Sequence, residues 1–183
     1  MTAKQQWLVV LGVIALLGGG ALAATYLLRD ELTSVSVGSD APGFLAKTVD
    51  PTPRTKSLSD YRGDVVLLNI WATYCIPCRT EMPSIEAVYQ ELGPKGLKVV
   101  AVSVDATGFE QQIRDFVRDY NLSFDILYDD TGAIQKIYRT TGVPETFVIS
   151  RSGVIHKKWI GAEDWNSAGN RRLLESLLAE PKS

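Results

Sequence analysis

The segment Val65–Pro83, Val-Val-Leu-Leu-Asn-Ile-Trp-Ala-Thr-Tyr-Cys-Ile-Pro-Cys-Arg-Thr-Glu-Met-Pro, limits the possible folds of this chain more than any other. Its apolar, partly β-branched block Val65–Ile70 predicts a strand buried on both faces. Beyond it, Met82, Ile85, Val88 and Tyr89 recur at helical spacing, and Gly93-Pro94 stops the helix near Leu92. Pro83 lies inside that helix, where it predicts a kink or a local adjustment. A buried strand feeding directly into a helix sets Cys75 and Cys78, both cysteines of the chain, at the helix N-terminus. There the unpaired N–H groups and the macrodipole favour a thiolate. A pair so placed can cycle between dithiol and disulfide.

Composition removes several alternatives. Two cysteines cannot build a multi-bridge scaffold. With His156 the lone histidine, isolated in a predicted strand, they cannot complete a four-ligand zinc site either. Residues 1–28 carry Lys4 as their sole charged side chain, and the remainder holds 18 basic against 21 acidic residues. No basic surplus is left for nucleic acid.

Trp7–Leu28 is free of charge over 22 residues, against the roughly 20 that span a bilayer as a helix. Lys4 before it and Arg29, Asp30 and Glu31 after it orient the tail inward and the body outward. A cleaved signal peptide is the competing reading, with Leu8–Leu17 as its apolar core and Ala21-Leu22-Ala23 as its cleavage motif. The run through Tyr26, Leu27 and Leu28 favours a retained anchor. Either reading exports the body to a compartment where a disulfide persists. The expected organisation is an anchor or signal segment (1–28), a linker (29–40) and one domain (41–183).

Within 41–64, Pro42, Pro51, Pro53 and Gly63 leave room only for short edge strands. Leu97–Val104 reads as a second buried strand. Thr107 and Glu110 have capping-box spacing ahead of a helix over 110–120. A short strand at 125–128, a brief helix ending near Tyr138, and strands 146–149 and 154–159 joined by a Ser-Arg-Ser-Gly turn follow. A last helix covers about Asn166–Leu178. This order implies an α/β fold with a central mixed sheet flanked by helices.

With these elements placed, the sequence resembles the thioredoxin superfamily, and within it the membrane-anchored, extracytoplasmic thiol–disulfide oxidoreductases of the ResA, TlpA and CcmG (DsbE) type. Leu67–Arg79 matches the active-site motif, Glu81-Met82-Pro83 the acidic position and proline behind it, and Gly142–Ile149 the cis-proline loop and its strand. The resemblance covers about residues 38–180. It implies a thioredoxin-like fold, Cys75 as attacking nucleophile and Cys78 as the resolving cysteine of a mixed disulfide. It implies a cis Pro144, with the Val143 backbone pairing with bound peptide. Glu81 becomes a proton shuttle that also raises the thiol pKa values; the plainer reading is an acid on a solvated face near a helix start.

Other positions have subordinate expectations. Ile76-Pro77 restricts the loop and tunes its potential. Tyr74 touches the partner while Trp71 packs beneath the loop. Asn69 stands where cytoplasmic thioredoxins carry a buried aspartate, and an amide cannot serve as a base. Glu145, in a Pro-Glu-Thr-Phe run like that of CcmG-type sequences, tunes selectivity. The redox-active Cys75–Cys78 pair needs no further cofactor and no metal.

The implied function is a dithiol reductant on the outer face of a bacterial cell membrane, fed by a transmembrane thiol donor of the CcdA/DsbD type. It would reduce the haem-binding cysteines of apocytochrome c. Reduction of copper-site cysteines in oxidase assembly and general disulfide exchange are sister readings. A peroxiredoxin would call for Thr-Xaa-Xaa-Cys where this chain has Thr73-Tyr74-Cys75, and a copper chaperone would call for wider cysteine spacing and a histidine.

Overall fold

The computed structural model describes residues 3–27 and 35–181, and the chain divides into two compact units, 1–34 and 35–183. The described residues of the first unit form one helix, α1 (Ala3–Leu27), on which Trp7, Leu11, Ile14, Leu16 and Leu17 are exposed. Among the described residues no helix is long and apolar enough to cross a membrane, so a spanning role rests on the sequence alone. Leu28 and the start of the expected linker lie outside the described residues. From Val35 onward the chain is part of the second unit. Gly38 N donates to Ile155 O at 2.8 Å, Ile155 N donates to Ser39 O at 2.9 Å, and Asp40 bridges Val154. Residues 38–40 are therefore paired with the sheet, within a compact unit that starts at Val35.

In chain order the second unit holds β1 (Leu45–Thr48), β2 (Thr55–Ser57), β3 (Val65–Trp71), α2 (Ile76–Leu92), β4 (Leu97–Ser103) and α3 (Glu110–Asp119). It continues with β5 (Asp125–Tyr128), α4 (Ala133–Ile137), β6 (Glu145–Ile149), β7 (Ile155–Ile160) and α5 (Ala168–Leu178). The seven strands form one mixed sheet in the order β2-β1-β5-β4-β3-β6-β7. The strands β3, β4 and β5 run parallel, and β6 runs antiparallel to β3.

All seven residues of β3 are buried. Its pleat sends Val65, Leu67 and Trp71 to one face, where they meet Met82, Ile85, Val88 and Leu92 of α2, Ile113 and Phe116 of α3, and Leu174 and Leu177 of α5. Val66, Leu68 and Ile70 go to the other face, against Ile134, Tyr138, Phe147, Phe44 and Tyr61. Period-2 alternation explains why the strand reads as continuously apolar: both faces are cores. Asn69 shares the face of Leu67 and Trp71, and so points at α2.

One local expectation is corrected and another holds. The capping box at Thr107 does not form; the residue preceding α3 is Phe109, with no side-chain cap. The acid Asp129 instead caps α4, its Oδ2 accepting from Ile134 N at 2.7 Å and its Oδ1 from Thr131 N at 3.1 Å. The β6–β7 turn is a hairpin as expected. Gly153 N donates to Ser150 O, and Gly153 takes the positive φ of 90° that the turn needs.

Candidate active site

Strand β3 ends at Trp71 and α2 starts at Ile76, with Cys75 as the residue that caps the helix. Cys75 and Cys78 form a disulfide with their Cα atoms 5.3 Å apart. The backbone N–H of Cys78 points at the Cys75 sulfur at 3.1 Å. On reduction that N–H becomes a donor to the Cys75 thiolate, joined by the other free amides of the first turn. Cys78 is fully enclosed and Cys75 is 6% exposed, so only the first sulfur can be approached from outside. Around it Tyr74 (67% exposed) and Ile76 (76%) stand proud, with Pro77 also at the surface.

The loop before β6 closes the other side. The Val143–Pro144 peptide is cis, and the Val143 carbonyl oxygen lies 3.5 Å from the Cys75 sulfur. A backbone acceptor thus sits beside the nucleophile, where an extended peptide presenting its own disulfide would run.

Glu81 does not lie on a solvated face. It belongs to the buried stripe of α2, Cys78-Glu81-Met82-Ile85, and is 2% exposed. Its Oε1 accepts from Asn69 Nδ2 at 2.8 Å, and its Oε2 from the Glu163 amide at 3.3 Å. Burial pushes its pKa up to about 7. The hydrogen bonds from Asn69 and from the Glu163 amide oppose that rise, and the nearby Glu163 carboxylate adds to it. A carboxyl group that titrates near neutrality one helical turn from Cys78 can give or take a proton at working pH. Asn69 also donates to Thr146 Oγ1 at 2.8 Å, so one amide bridges Glu81 on α2 to β6.

Sequence reasoning missed the segment that covers Glu81. Ser84 on α2 donates to Glu163 O at 3.3 Å and accepts from Trp165 N at 3.0 Å, fastening residues 163–165 over the acid. The buried indole N–H of Trp165 approaches the carboxylate without completing a hydrogen bond. An aromatic in a polar stretch just ahead of a helix was the available signal. Trp71 packs on Phe116, ring centroids 4.6 Å apart, beneath the loop. Glu145 is fully enclosed rather than at the surface: its Oε1 meets Lys158 Nζ at 2.8 Å and its Oε2 accepts from Thr141 N at 3.2 Å. Any influence on a partner passes through the loop 141–144. His156 is exposed on β7, and among the described residues no cluster of acidic, His and Cys side chains could hold a metal.

The more exposed cysteine of a Cys-Xaa-Xaa-Cys disulfide, a resolving cysteine enclosed behind it, and the carbonyl of the residue before a cis-proline beside the pair define a thiol–disulfide oxidoreductase of thioredoxin-like fold. Known proteins agree with this class. The model of the AhpC/TSA family matches residues 37–158. Thiol-disulfide oxidoreductase ResA of Oceanobacillus iheyensis is 36% identical over 137 residues, covering 74% of this chain and 70% of that protein. Thioredoxin-like protein YneN of Bacillus subtilis is 38% identical over 160 residues, covering 86% of this chain and 91% of its own. A crystal structure described as a thiol:disulfide interchange protein DsbE, from Chlorobium tepidum, superposes with a TM-score of 0.71 at 28% identity, covering 80% of this chain and all of that one. The chain belongs to the AhpC/TSA family, and it is a thiol–disulfide oxidoreductase of the ResA and DsbE type.

Proposed function

We propose that this protein is a dithiol reductant held on the extracytoplasmic face of a bacterial cell membrane by residues 7–28, and that it reduces the haem-binding cysteine pair of apocytochrome c. The observation that carries the reading is Glu81, sealed beside Cys78 with a pKa of about 7. A carboxylate there discourages a second thiolate above neutral pH, and it is the base that takes the Cys78 proton when Cys78 attacks the mixed disulfide. A reductant that must keep its thiols until the right disulfide arrives gains from both effects. Similarity to ResA and DsbE supports the same reading, and a transmembrane thiol donor of the CcdA/DsbD type would return the electrons.

In the catalytic cycle the Cys75 thiolate attacks one sulfur of the partner disulfide, and the other partner sulfur leaves as a thiolate. Cys78, deprotonated, then attacks the Cys75 sulfur and expels the second partner sulfur. Two electrons and two protons pass to the partner, and Cys75–Cys78 is left oxidised.

Deleting the gene tests the substrate. Loss of c-type cytochromes, restored by an added small dithiol, with oxidase copper intact, is the expected result. Unchanged c-type cytochromes overturn the proposal, and loss of oxidase copper alone transfers it to copper-site cysteines. The direction of electron flow is tested by equilibration against a thiol buffer. A potential near or below about −270 mV marks a reductant, whereas one near about −120 mV marks an oxidant.

A further inference from the structure

The parallel strands β3 and β4 end side by side, Trp71 opposite Ser103, with Val104 N donating to Trp71 O at 2.9 Å. One turn of chain beyond each end, Thr73 and Asp105 meet. The Asp105 carboxylate, 2% exposed, accepts from Thr73 N at 2.9 Å, from Thr73 Oγ1 at 2.6 Å and from Ser103 Oγ at 2.7 Å. Asp105 forms no ion pair among the described residues. From the other side the Arg79 guanidinium, lying over the Phe116 ring, donates through Nε at 3.1 Å and Nη2 at 2.8 Å to the Thr73 carbonyl. Every polar group of Thr73 is thus held, two residues ahead of the nucleophile.

A buried carboxylate needs donors, but a turn needs no buried carboxylate. Leaving a charge enclosed without a counter-charge is costly unless its hydrogen bonds are complete, and here two of the three donors come from the loop that carries Cys75. Ala72 O accepts from Cys75 N at 3.2 Å and Cys75 O accepts from Arg79 N at 3.2 Å, so the hold on Thr73 passes directly to Cys75.

We infer that Asp105, acting through Thr73 and opposed by Arg79, is a positioning residue that sets the balance between dithiol and disulfide at Cys75 and Cys78. Ring closure requires the Cys78 sulfur to reach the Cys75 sulfur. Fixing the loop raises the effective concentration of one for the other and favours the disulfide. A braced pair is therefore the stronger reductant. This deepens the redox reading of the site and is independent of the physiological partner.

The test compares the full chain with Asp105→Ala, Asp105→Asn and Thr73→Val. Each is equilibrated against a small dithiol buffer, with the melting temperature followed in parallel. Asp105→Ala is expected to lower the equilibrium constant for closing the Cys75–Cys78 disulfide about tenfold, an upward shift of ~30 mV in potential. Asp105→Asn keeps an acceptor oxygen for the Thr73 amide and the Ser103 hydroxyl while the Thr73 hydroxyl turns to accept from the new amide, so it stays within about threefold of the parent. Thr73→Val, which loses the hydroxyl bond and keeps the amide bond, falls between them. A purely architectural role lowers the melting temperature and leaves the potential of the folded protein in place. Asp105→Ala at the parent potential, or Asp105→Asn shifted as far as Asp105→Ala, overturns the inference. Should Asp105→Ala not fold, Thr73→Val at the parent potential overturns it alone. Because small thiols replace any protein partner, failure of the cytochrome reading leaves this result readable.

Discussion

Glu81 links the stability of the fold to the chemistry of the site. Its pKa rises from 4.5 to about 7 on folding, so the folded state holds the proton more tightly than the unfolded chain does. Stability therefore falls as pH climbs through that interval and levels off above it. At about 1.4 kcal/mol per pKa unit, the wild type should be up to roughly 3 kcal/mol less stable at pH 8 than at pH 4 through this group alone. Glu81→Gln should flatten that dependence, and urea denaturation of both proteins at the two pH values measures it. Parallel curves would mean that Glu81 titrates like an exposed acid. The same substitution should remove an inflection near pH 7 from the rate at which iodoacetamide alkylates the reduced cysteines. The burial of Glu81 was partly legible, because Cys78, Glu81, Met82 and Ile85 fall on one helical stripe. The long-range hydrogen bonds that hold it in place and temper the rise in its pKa were not: Asn69 is 12 residues away and the Glu163 amide 82.

At the scale of elements, the strand–cysteine–helix unit was readable because local signals agreed: a doubly apolar strand, a cysteine pair, helical spacing and a Gly-Pro stop. Leu68, in the middle of β3 and fully enclosed, should lose about 2–5 kcal/mol as Leu68→Ala, read as a lower urea midpoint with an unchanged slope. The pairing of β6 with β7 carries a second test. Lys158 is the ion-pair partner of the enclosed Glu145, and Lys158→Met should cost about 3 kcal/mol by stranding that charge. Adding Glu145→Gln should restore most of the loss; if the double variant is no better than the single, the pair is not what the lysine provides. The Thr107 box failed for the opposite reason to the success of β3. A four-residue spacing is a weak signal, and tertiary packing of Ile113 and Phe116 set the start of α3 without it.

For the whole molecule, the proposed topology places residues 35–181 outside the membrane. Protease added to intact spheroplasts should digest or release the domain, while lysis should be required if it faces inward. Fold class and the redox pair followed from one stretch of sequence. The setting of that pair did not, since it draws on Asp105 after β4, Val143 before β6, Thr146 within β6 and residues 163–165 ahead of α5. The fastening of residues 163–165 over Glu81 also has a consequence in time. A ribosome makes the chain from the amino end, so both cysteines and their acid exist for 82 residues of synthesis before the Glu163 amide that helps enclose them. Until then the cover that Ser84 fastens over Glu81 is missing. The acid is enclosed only after Trp165 is made, and a product truncated before it would carry the motif without that cover.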